Sequence, residues 1–276
     1  YAKDLAARRM FLREAKVAGC LLHPNILPVF DVGVNRDRRI YYTMRLVNGT
    51  SLKGSLDSLS TACETSLVEF PLRKVMGVFL KVCDGMDYAH SRHVIHLDLK
   101  PDNILVSGFS EVFVIDWGLA QVEGRDETKG MVEVASETGA TSISLSDEEG
   151  HRVLGTPGYM APEQWVGDPK RFQPSTDVFG LGGILYYVLY GTPPCLPKGV
   201  TRKTVEAYTK GSPPTPGDLR SGVFVKGERV ADDRRESLRR LDAICMRALQ
   251  RGQGERSQSV EAMIVELREW LRSTPF

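Results

Sequence analysis

The residues of this chain best suited to chemistry lie in two short stretches. One reads His-Leu-Asp-Leu-Lys-Pro-Asp-Asn and ends at Asn103, and the other reads Asp-Trp-Gly and begins at Asp116. Asp98 could act as a base, and Lys100 adds a positive charge two residues later. Asn103 and Asp116 offer the oxygen atoms that hard divalent cations prefer. The short apolar run between the stretches would place a base, a cation and two metal ligands on loops around one hairpin.

Each of these residues also has an ordinary explanation. Asp and Asn often form turns between short strands, so Asp98, Asn103 or Asp116 alone would indicate no function. Their combination is harder to explain in this way, because a lysine follows Asp98 at a spacing of two and a Trp-Gly pair follows Asp116. The set therefore favours a catalytic centre.

A third stretch, Gly-Thr-Pro-Gly-Tyr-Met-Ala-Pro-Glu at residues 155–163, completes a known order of motifs. Together the three resemble the catalytic loop, magnesium loop and Ala-Pro-Glu motif of protein kinases, in particular those of the bacterial serine/threonine type. The resemblance covers nearly the whole chain. It implies an α+β, protein-kinase-like two-lobed fold. A truncated small β lobe would occupy residues 1–47 (the C helix and two strands up to the hinge), and a mostly α-helical large lobe residues 48–276.

The resemblance also implies an activity, the transfer of the γ-phosphate of ATP to Ser or Thr hydroxyls of protein substrates. Phosphoryl transfer requires positioning and charge neutralisation more than covalent help from the protein. Asp98 would accept the hydroxyl proton, Lys100 would steady the γ-phosphate, and Asn103 with Asp116 would hold Mg²⁺. Thr156 would hydrogen-bond near Asp98 and Lys100, which is the serine/threonine rather than the tyrosine pattern.

Two upstream stretches resemble the ATP-binding parts of such kinases. Phe-Leu-Arg-Glu-Ala, followed by His-Pro-Asn-Ile, resembles the helix whose glutamate meets the phosphate-gripping lysine, and Glu14 is the match. The alternative is a solvated charge on a helix face. Tyr-Tyr-Thr-Met-Arg-Leu-Val resembles the hinge against which adenine docks, with Met44 as gatekeeper and backbone groups of Arg45 and Val47 facing the base. The alternative is an edge strand that enters a linker.

Three further residues are expected to support the site. By the same resemblance, Glu163 would form a buried ion pair with Arg256. Asp177, at the start of a predicted helix over residues 177–190, would anchor the catalytic loop from below. That role is compatible with the ordinary reading of Asp177 as a helix N-cap.

The sequence departs from the family pattern in three places. No Gly-x-Gly-x-x-Gly loop and no Val-Ala-Ile-Lys-like strand precede Glu14, and Lys3 is no substitute because it lies on the same predicted helix. We therefore expect a fragment, or a product whose start has been lost, that binds ATP weakly and turns over poorly or not at all. Leu97 replaces the arginine of His-Arg-Asp, which removes one receptor for a phosphorylated loop. Trp117 replaces the usual Phe in the same stacking role.

Two other functions are compatible with parts of this sequence. A pseudokinase or docking module would explain the missing lysine, but the intact Asp98, Lys100, Asn103 and Asp116 argue against it. A small-molecule phosphotransferase of the aminoglycoside-kinase type would share the His-x-Asp-x-x-x-x-Asn loop. Such enzymes lack the Gly-Thr-Pro and Ala-Pro-Glu segment, which is complete here.

Several predicted elements must position these residues. Near-helical spacing of apolar residues predicts helices, and runs of β-branched and aromatic residues predict strands. A stretch rich in Gly, Glu, Ser and Thr, residues 121–152, is expected to be a mobile loop. The predicted helices cover residues 3–22, 51–59, 72–92, 177–190, 238–249 and 259–271, and the predicted strands cover residues 26–34, 40–46, 104–106 and 112–115.

Composition narrows the class of protein. The 276 residues are 42% hydrophobic and 26% charged, which is typical of a globular chain, and the formal net charge is +1. Nucleic acid and anionic membrane are therefore not expected as partners. Five scattered cysteines and the lack of a signal peptide indicate the cytoplasm, and the apolar run at residues 178–190 is too short to span a bilayer. A membrane anchor outside these residues stays open.

Overall fold

A helix and a β-hairpin form the first part of the fold. The structure is a computed structural model that describes residues 2–65, 72–108, 111–122, 143–146, 152–194, 211 and 232–273. Helix α1 (Ala2–Cys20) packs against an antiparallel pair, β1 (Val29–Val34) and β2 (Ile40–Met44). The connecting turn is closed by the side chain of Asn35, whose Oδ1 accepts hydrogen bonds from the backbone N–H groups of Asp37 and Arg39.

Short strands and two helices form the centre. A three-stranded antiparallel sheet has the order β3 (Gly49–Ser51), β5 (Ile104–Ser107), β6 (Val112–Val114), and β4 (Val94–Ile95) pairs with β7 (Gln121–Val122). Helices α2 (Leu52–Thr65) and α3 (Leu72–Ser91) lie between β3 and β4 in the chain, and a 3₁₀ turn, Pro101–Asn103, leads into β5. The loops between these strands carry the predicted catalytic residues, which the sheet thereby fixes in place.

The remainder of the described chain is mainly helical. An antiparallel pair, β8 (Ile143–Ser146) and β9 (Arg152–Gly155), leads to a short helix, α4 (Pro162–Val166). Helix α5 (Pro174–Tyr190) is apolar on all sides and is buried from Ser175 to its end, as expected for a helix at the centre of a domain. Helices α6 (Asp232–Ala248) and α7 (Val260–Ser273) pack against it.

The core has two parts. The larger cluster joins α1, α3, α5, α6 and α7, and includes the fully buried rings of Phe79, Phe179 and Trp270. The second is small and joins the catalytic loop to three later parts of the chain, near residues 119, 154 and 172. We refer to this second group as the small apolar cluster, and its members are Ile95, Leu97, Leu119, Leu154 and Phe172.

The predicted helices are all present, although α2 extends six residues beyond its predicted end. The prediction of a mobile loop over residues 121–152 is wrong at residues 121–122, 143–146 and 152, which lie in strands β7, β8 and β9. Residues 123–142 and 147–151 lie outside the described residues. Asp177 does not begin its helix, because Pro174 occupies the first turn and Gln173 is the N-cap. None of the described helices is both long and apolar enough to cross a membrane.

Candidate active site

The catalytic loop brings the four predicted catalytic residues into one buried hydrogen-bond network. Asp98 Oδ1 accepts a hydrogen bond from Thr156 Oγ1 at 2.7 Å. Its other oxygen, Oδ2, accepts from Lys100 Nζ at 2.9 Å and from Asn103 Nδ2 at 3.2 Å. Lys100 Nζ also donates to Thr156 Oγ1 at 2.7 Å. The contact predicted for Thr156 is therefore confirmed, while the catalytic roles of the four residues stay predictions.

A second carboxylate holds the backbone of this loop. Asp177 accepts hydrogen bonds from the backbone N–H groups of His96 at 2.8 Å and Leu97 at 2.9 Å, and from the ring of His90 at 2.8 Å. Burial raises the pKa of Asp177, but the hydrogen bond and charge of His90 and the contacts with His96 outweigh burial and lower it. An ionised Asp177 thus fixes the loop from α5. Leu97 has a φ of +67°, a left-handed conformation that a leucine adopts only when its surroundings hold it.

The Asp-Trp-Gly loop is tied to the catalytic loop through its first residues. Ile115 donates its backbone N–H to the Asn103 carbonyl at 3.0 Å, and its own carbonyl accepts from His96 Nε2 at 3.0 Å. Asp116 follows with a φ of +66° and an exposed side chain. Trp117 is buried and packs against the ring of His96, with centroids 4.6 Å apart. These contacts place Asp116 next to the catalytic network.

The donor set at this point fits a magnesium ion. Asn103 commits its amide nitrogen to Asp98, so its Oδ1 is the atom left to face a metal. Asp116 offers an exposed carboxylate one residue after Ile115, whose backbone N–H binds the Asn103 carbonyl. Mg²⁺ is usually bound through one or two carboxylates together with substrate phosphates and water. The described residues contain no cluster of three His, Cys, Asp or Glu side chains, and a site of this kind does not require one.

A cavity of about 210 Å³ lies between α1, the hairpin and the Asp-Trp-Gly loop. Its walls are mainly apolar, and two carboxylates, those of Glu14 and Asp116, lie among its lining residues. This combination suits a ligand with an apolar ring and a charged tail whose charge is shared with a cation. The lining residues are Glu14, Ala18, Leu27, Val29, Tyr42, Met44, Leu105, Ile115, Asp116 and Trp117.

One of the three residues predicted for the hinge lines this cavity. Met44 lines the cavity, whereas Arg45 and Val47 are not among its described lining residues. The backbone N–H of Arg45 donates to the Pro28 carbonyl at 3.3 Å, so this group does not face the cleft. The Arg45 side chain is also turned away, because its guanidinium binds Glu111 at 2.6 Å. This contact concerns the Arg45 N–H alone, and the expectation that backbone groups of Arg45 and Val47 face adenine stays a prediction.

Glu14 meets a tyrosine among the described residues. Tyr42 donates its hydroxyl to Glu14 Oε1 at 3.1 Å, and its ring packs on Phe11 with centroids 4.7 Å apart. Burial, and then the negative charge of Asp116, raise the pKa of Glu14, while the Tyr42 hydrogen bond lowers it. Burial and the neighbouring Glu14 raise the pKa of Tyr42 to about 12. Two carboxylates thus share this part of the site.

The predicted ion pair between Glu163 and Arg256 is confirmed. Both guanidinium nitrogens bind the carboxylate, Nη1 to Oε1 at 2.7 Å and Nη2 to Oε2 at 2.9 Å, and both side chains are buried. The guanidinium also lies over the ring of Phe179 and donates to the Ser175 carbonyl. The pair therefore fixes α4 to the start of α5 and to the loop before α7.

Four residues with evident structural roles were not found from the sequence. Tyr42 holds Glu14, and His90 holds Asp177. Arg13 Nη2 donates to the Ala120 carbonyl at 2.8 Å, which ties α1 to the chain after the Asp-Trp-Gly loop. Gln164 donates to the Leu97 carbonyl of the catalytic loop and to the Leu154 carbonyl of β9. Their only sequence signal is adjacency to motif residues, and adjacency does not reveal a partner far along the chain.

Comparison with known proteins agrees with the geometry. A family model described as "Protein kinase domain" matches residues 2–217. The chain is 34% identical over 272 residues to the Serine/threonine-protein kinase PknD of Chlamydia abortus, which covers 97% of this chain and 27% of the relative. It is 38% identical over 192 residues to the protein of the same name in Chlamydia pneumoniae, 68% of this chain and 20% of the relative. The chain thus spans about a fifth to a quarter of these relatives.

Proposed function

Because this chain belongs to the protein kinase domain family, we propose that it is the kinase domain of a bacterial serine/threonine protein kinase. It would transfer the γ-phosphate of ATP to Ser or Thr hydroxyls of protein substrates. The observation that carries the proposal is the buried network in which Asp98 accepts hydrogen bonds from Thr156, Lys100 and Asn103. Proteins named as serine/threonine kinases align with 97% of the chain, which supports it further.

The network suits a base that must be held in one orientation. Three donors hold the Asp98 carboxylate in one orientation, from which an oxygen could accept a proton from a substrate hydroxyl. Lys100 lies within 2.9 Å of that carboxylate and would add positive charge where phosphate charge develops. Thr156 links the two residues to the segment beyond β9 and would keep both in register with a bound substrate.

The proposal includes ATP and Mg²⁺ as ligands. The family uses ATP and a divalent metal in general, and Asn103 Oδ1 and Asp116 are the atoms that would hold Mg²⁺ here. When bound, the ion would neutralise phosphate charge. The cavity lined by Met44, Leu105 and Ile115 would take the adenine, with the phosphates toward Asp116.

Two other parts of the proposal concern organisation. We place the division between a small and a large lobe at residues 47 and 48, between the hairpin and β3. We also propose a cytoplasmic location, which the free thiols of Cys20, Cys83 and Cys245 favour.

A docking module is a second candidate, and one observation favours it. The described partner of Glu14 is the Tyr42 hydroxyl rather than a cation, and the neighbouring Asp116 adds a second negative charge. A chain that cannot neutralise this pair would bind MgATP weakly. It would keep the fold and present its surfaces to partners without phosphate transfer.

Phosphate transfer by the purified chain separates the two functions. The chain is incubated with radiolabelled ATP, Mg²⁺ and a generic acceptor protein such as casein, beside the Asp98→Asn variant. We expect slow transfer in the wild type, since these residues include no glycine-rich loop and no strand lysine before Glu14. The variant should lose about 100-fold or more of that rate, because the amide cannot act as the base. Asp37→Asn, at the exposed turn of the hairpin, is the control and should transfer at the wild-type rate.

Each result has one interpretation when thermal unfolding shows all three proteins to be folded. Equal transfer by the wild type and Asp98→Asn would contradict the kinase proposal. Absence of both transfer and calorimetric MgATP binding in the wild type would favour the docking module.

A further inference from the structure

One buried amide side chain joins the catalytic loop to the segment that carries Thr156. Gln164 lies in α4 and is 3% exposed. Its Nε2 donates to the Leu97 carbonyl at 2.7 Å and to the Leu154 carbonyl at 3.0 Å, and its Oε1 accepts from the Ala161 N–H at 3.0 Å. Both amide protons and the amide oxygen are therefore used. A carboxylate of the same shape could not make these contacts, because it has no proton to donate to a carbonyl.

The backbone beside this amide is packed so closely that no side chain fits. Gly155 has a φ of +133°, and a Cβ added there would lie 2.9 Å from Met160 Cγ, 3.1 Å from Gln164 Nε2 and 3.3 Å from the Leu97 carbonyl oxygen. Gly155 directly precedes Thr156. The position of the Gln164 amide against this glycine therefore fixes where the Thr156 hydroxyl enters the network of Asp98 and Lys100.

Uncharged contacts surround this connection. Leu97 and Leu154, whose carbonyls bind Gln164, bury their side chains together in the small apolar cluster with Leu119 and Phe172. Leu97 occupies the position of the family's arginine. Besides the contacts of Thr156 with Asp98 and Lys100, the catalytic loop and the Thr156 segment are thus joined by an amide and by apolar packing. This part of the connection offers no charge to bind a phosphate.

We propose that Gln164 is a positioning residue that keeps Thr156 in contact with Asp98 and Lys100 by binding the Leu97 and Leu154 carbonyls. The effect of Gln164 on catalysis rests on the proposed kinase function. Its effect on the position of Thr156 does not, since the contacts of Thr156 can be observed without turnover. Gln164 acts through Thr156 and touches no reacting group.

The test compares Gln164→Met with Gln121→Met. Methionine has nearly the shape of glutamine and no amide. Gln121 is a matched control, because it also donates its side-chain amide to a backbone carbonyl, that of Pro169 at 3.3 Å, in a part-buried setting with no link to Thr156. The first measurement is the methyl NMR signal of Thr156 in threonine-labelled protein, assigned by its loss in Thr156→Ser. We expect this signal to shift or broaden in Gln164→Met and to stay unchanged in Gln121→Met.

The second measurement is a double-mutant cycle on phosphate transfer. Gln164→Met should lower kcat about ten- to a hundredfold, as small misplacements of catalytic groups do, and leave the KM for ATP unchanged. In a Thr156→Ala background the same change should lower kcat by less than twofold, because the group it positions is already gone. Gln121→Met should leave kcat within twofold of the wild type.

Two results would overturn the inference. One is an unchanged Thr156 methyl signal in folded Gln164→Met protein, and the other is an equal fall in kcat with and without the Thr156 hydroxyl. If every variant including the wild type lacks transfer, the proposed function fails and the NMR signal still decides the role of Gln164. If Gln164→Met does not fold, Gln164→Asn replaces it, since its amide is one methylene too short to reach both carbonyls.

Discussion

The two sides of the active-site cleft differ in how their charged groups are satisfied. On the catalytic-loop side, every oxygen of the Asp98 carboxylate has a donor, and Asp177 and Glu163 are matched in the same way. On the cavity side, Glu14 has one described hydrogen-bond donor, Tyr42, and lies near a second carboxylate, Asp116. The carboxylates on the catalytic-loop side therefore have donors among the described residues, whereas the cavity side carries excess negative charge.

This difference indicates what each side needs in order to function. A buried carboxylate with several donors stays ionised and fixed without any ligand. A pair of neighbouring carboxylates is stable only when a cation joins them or when one of them takes up a proton. The catalytic-loop side is therefore preorganised by the fold. The cavity side depends on charge that a ligand or another residue must bring.

The largest expected effect tests the catalytic-loop side. Arg256→Ala leaves the buried Glu163 carboxylate without its partner, and such a loss costs roughly 3–5 kcal/mol, or about 6–20 °C in Tm for a domain of this size. Differential scanning calorimetry measures the change. We expect the damage to appear in folding before it appears in chemistry, because Arg256 is bonded to Glu163 and to backbone carbonyls and has no contact with Asp98.

A matched pair provides the control for this prediction. Arg247 binds Glu266 at 2.6 Å, which is as short as the Arg256–Glu163 contact, but its side chain is 45% exposed. Arg247→Ala should cost only about 0–1 kcal/mol, because water solvates the remaining charge. Similar losses of stability in the two variants would show that a buried ion pair contributes no more than an exposed one. The contrast between the two sides of the cleft would then not be one of energy.

The sequence predicted the residues of the catalytic-loop side well, for a physical reason. Asp98, Lys100 and Asn103 lie within six positions of one another, so local spacing alone brings them together. Glu163 and Arg256 are distant in the chain, and that pair was found only through the resemblance to kinases. The long helices α3 and α5 were also predictable, because each has a strong apolar pattern.

The residues that were missed are those whose role depends on tertiary contacts. Tyr42 and Gln164 have no local pattern that marks them, since a tyrosine on a strand and a glutamine after a motif are common. Their partners lie 28 positions away for Tyr42 and as many as 67 for Gln164. Strands β3, β4 and β7 were missed because two or three residues carry no alternation. The start of α5 was misplaced because Gln173 and Pro174 begin the helix three residues before Asp177, whose carboxylate binds the catalytic loop as predicted.

A smaller effect tests the cavity side through its pH dependence. The pKa of Glu14 is raised in the folded chain, so the folded state binds this proton more tightly than the unfolded state. Below the ordinary glutamate pKa, the protonated form contributes its full stability. This contribution falls as the pH rises through the raised pKa of Glu14, and above that pKa it no longer changes with pH. Glu14→Gln removes this dependence. We expect the Tm of Glu14→Gln to exceed that of the wild type by at most a few degrees at neutral pH, and the difference to vanish in acid.

The hydroxyl of Tyr42 should affect the pH range over which the stability falls. Its hydrogen bond lowers the pKa of Glu14, so Tyr42→Phe should move the fall in stability to higher pH, as measured by thermal unfolding from acid to neutral pH. Tyr41→Phe is the control, because Tyr41 packs over Gly33 and does not reach Glu14. A Tm difference between the wild type and Glu14→Gln that stays constant with pH would show that the surroundings of Glu14 do not raise its pKa.

The smallest expected effect concerns the residues between β7 and β9. Phosphate-mimicking changes to Glu there should alter phosphate transfer less than tenfold, because Leu97, in the position of the family's arginine, offers no charge to receive a phosphate. Alanine at each position is the control for loss of the hydroxyl alone. A tenfold or larger effect specific to glutamate would show that charge, and not only the amide of Gln164, governs this segment. The positions are Thr128, Ser136, Thr138, Thr141 and Ser142, which lie outside the described residues, and Ser144 and Ser146 in β8.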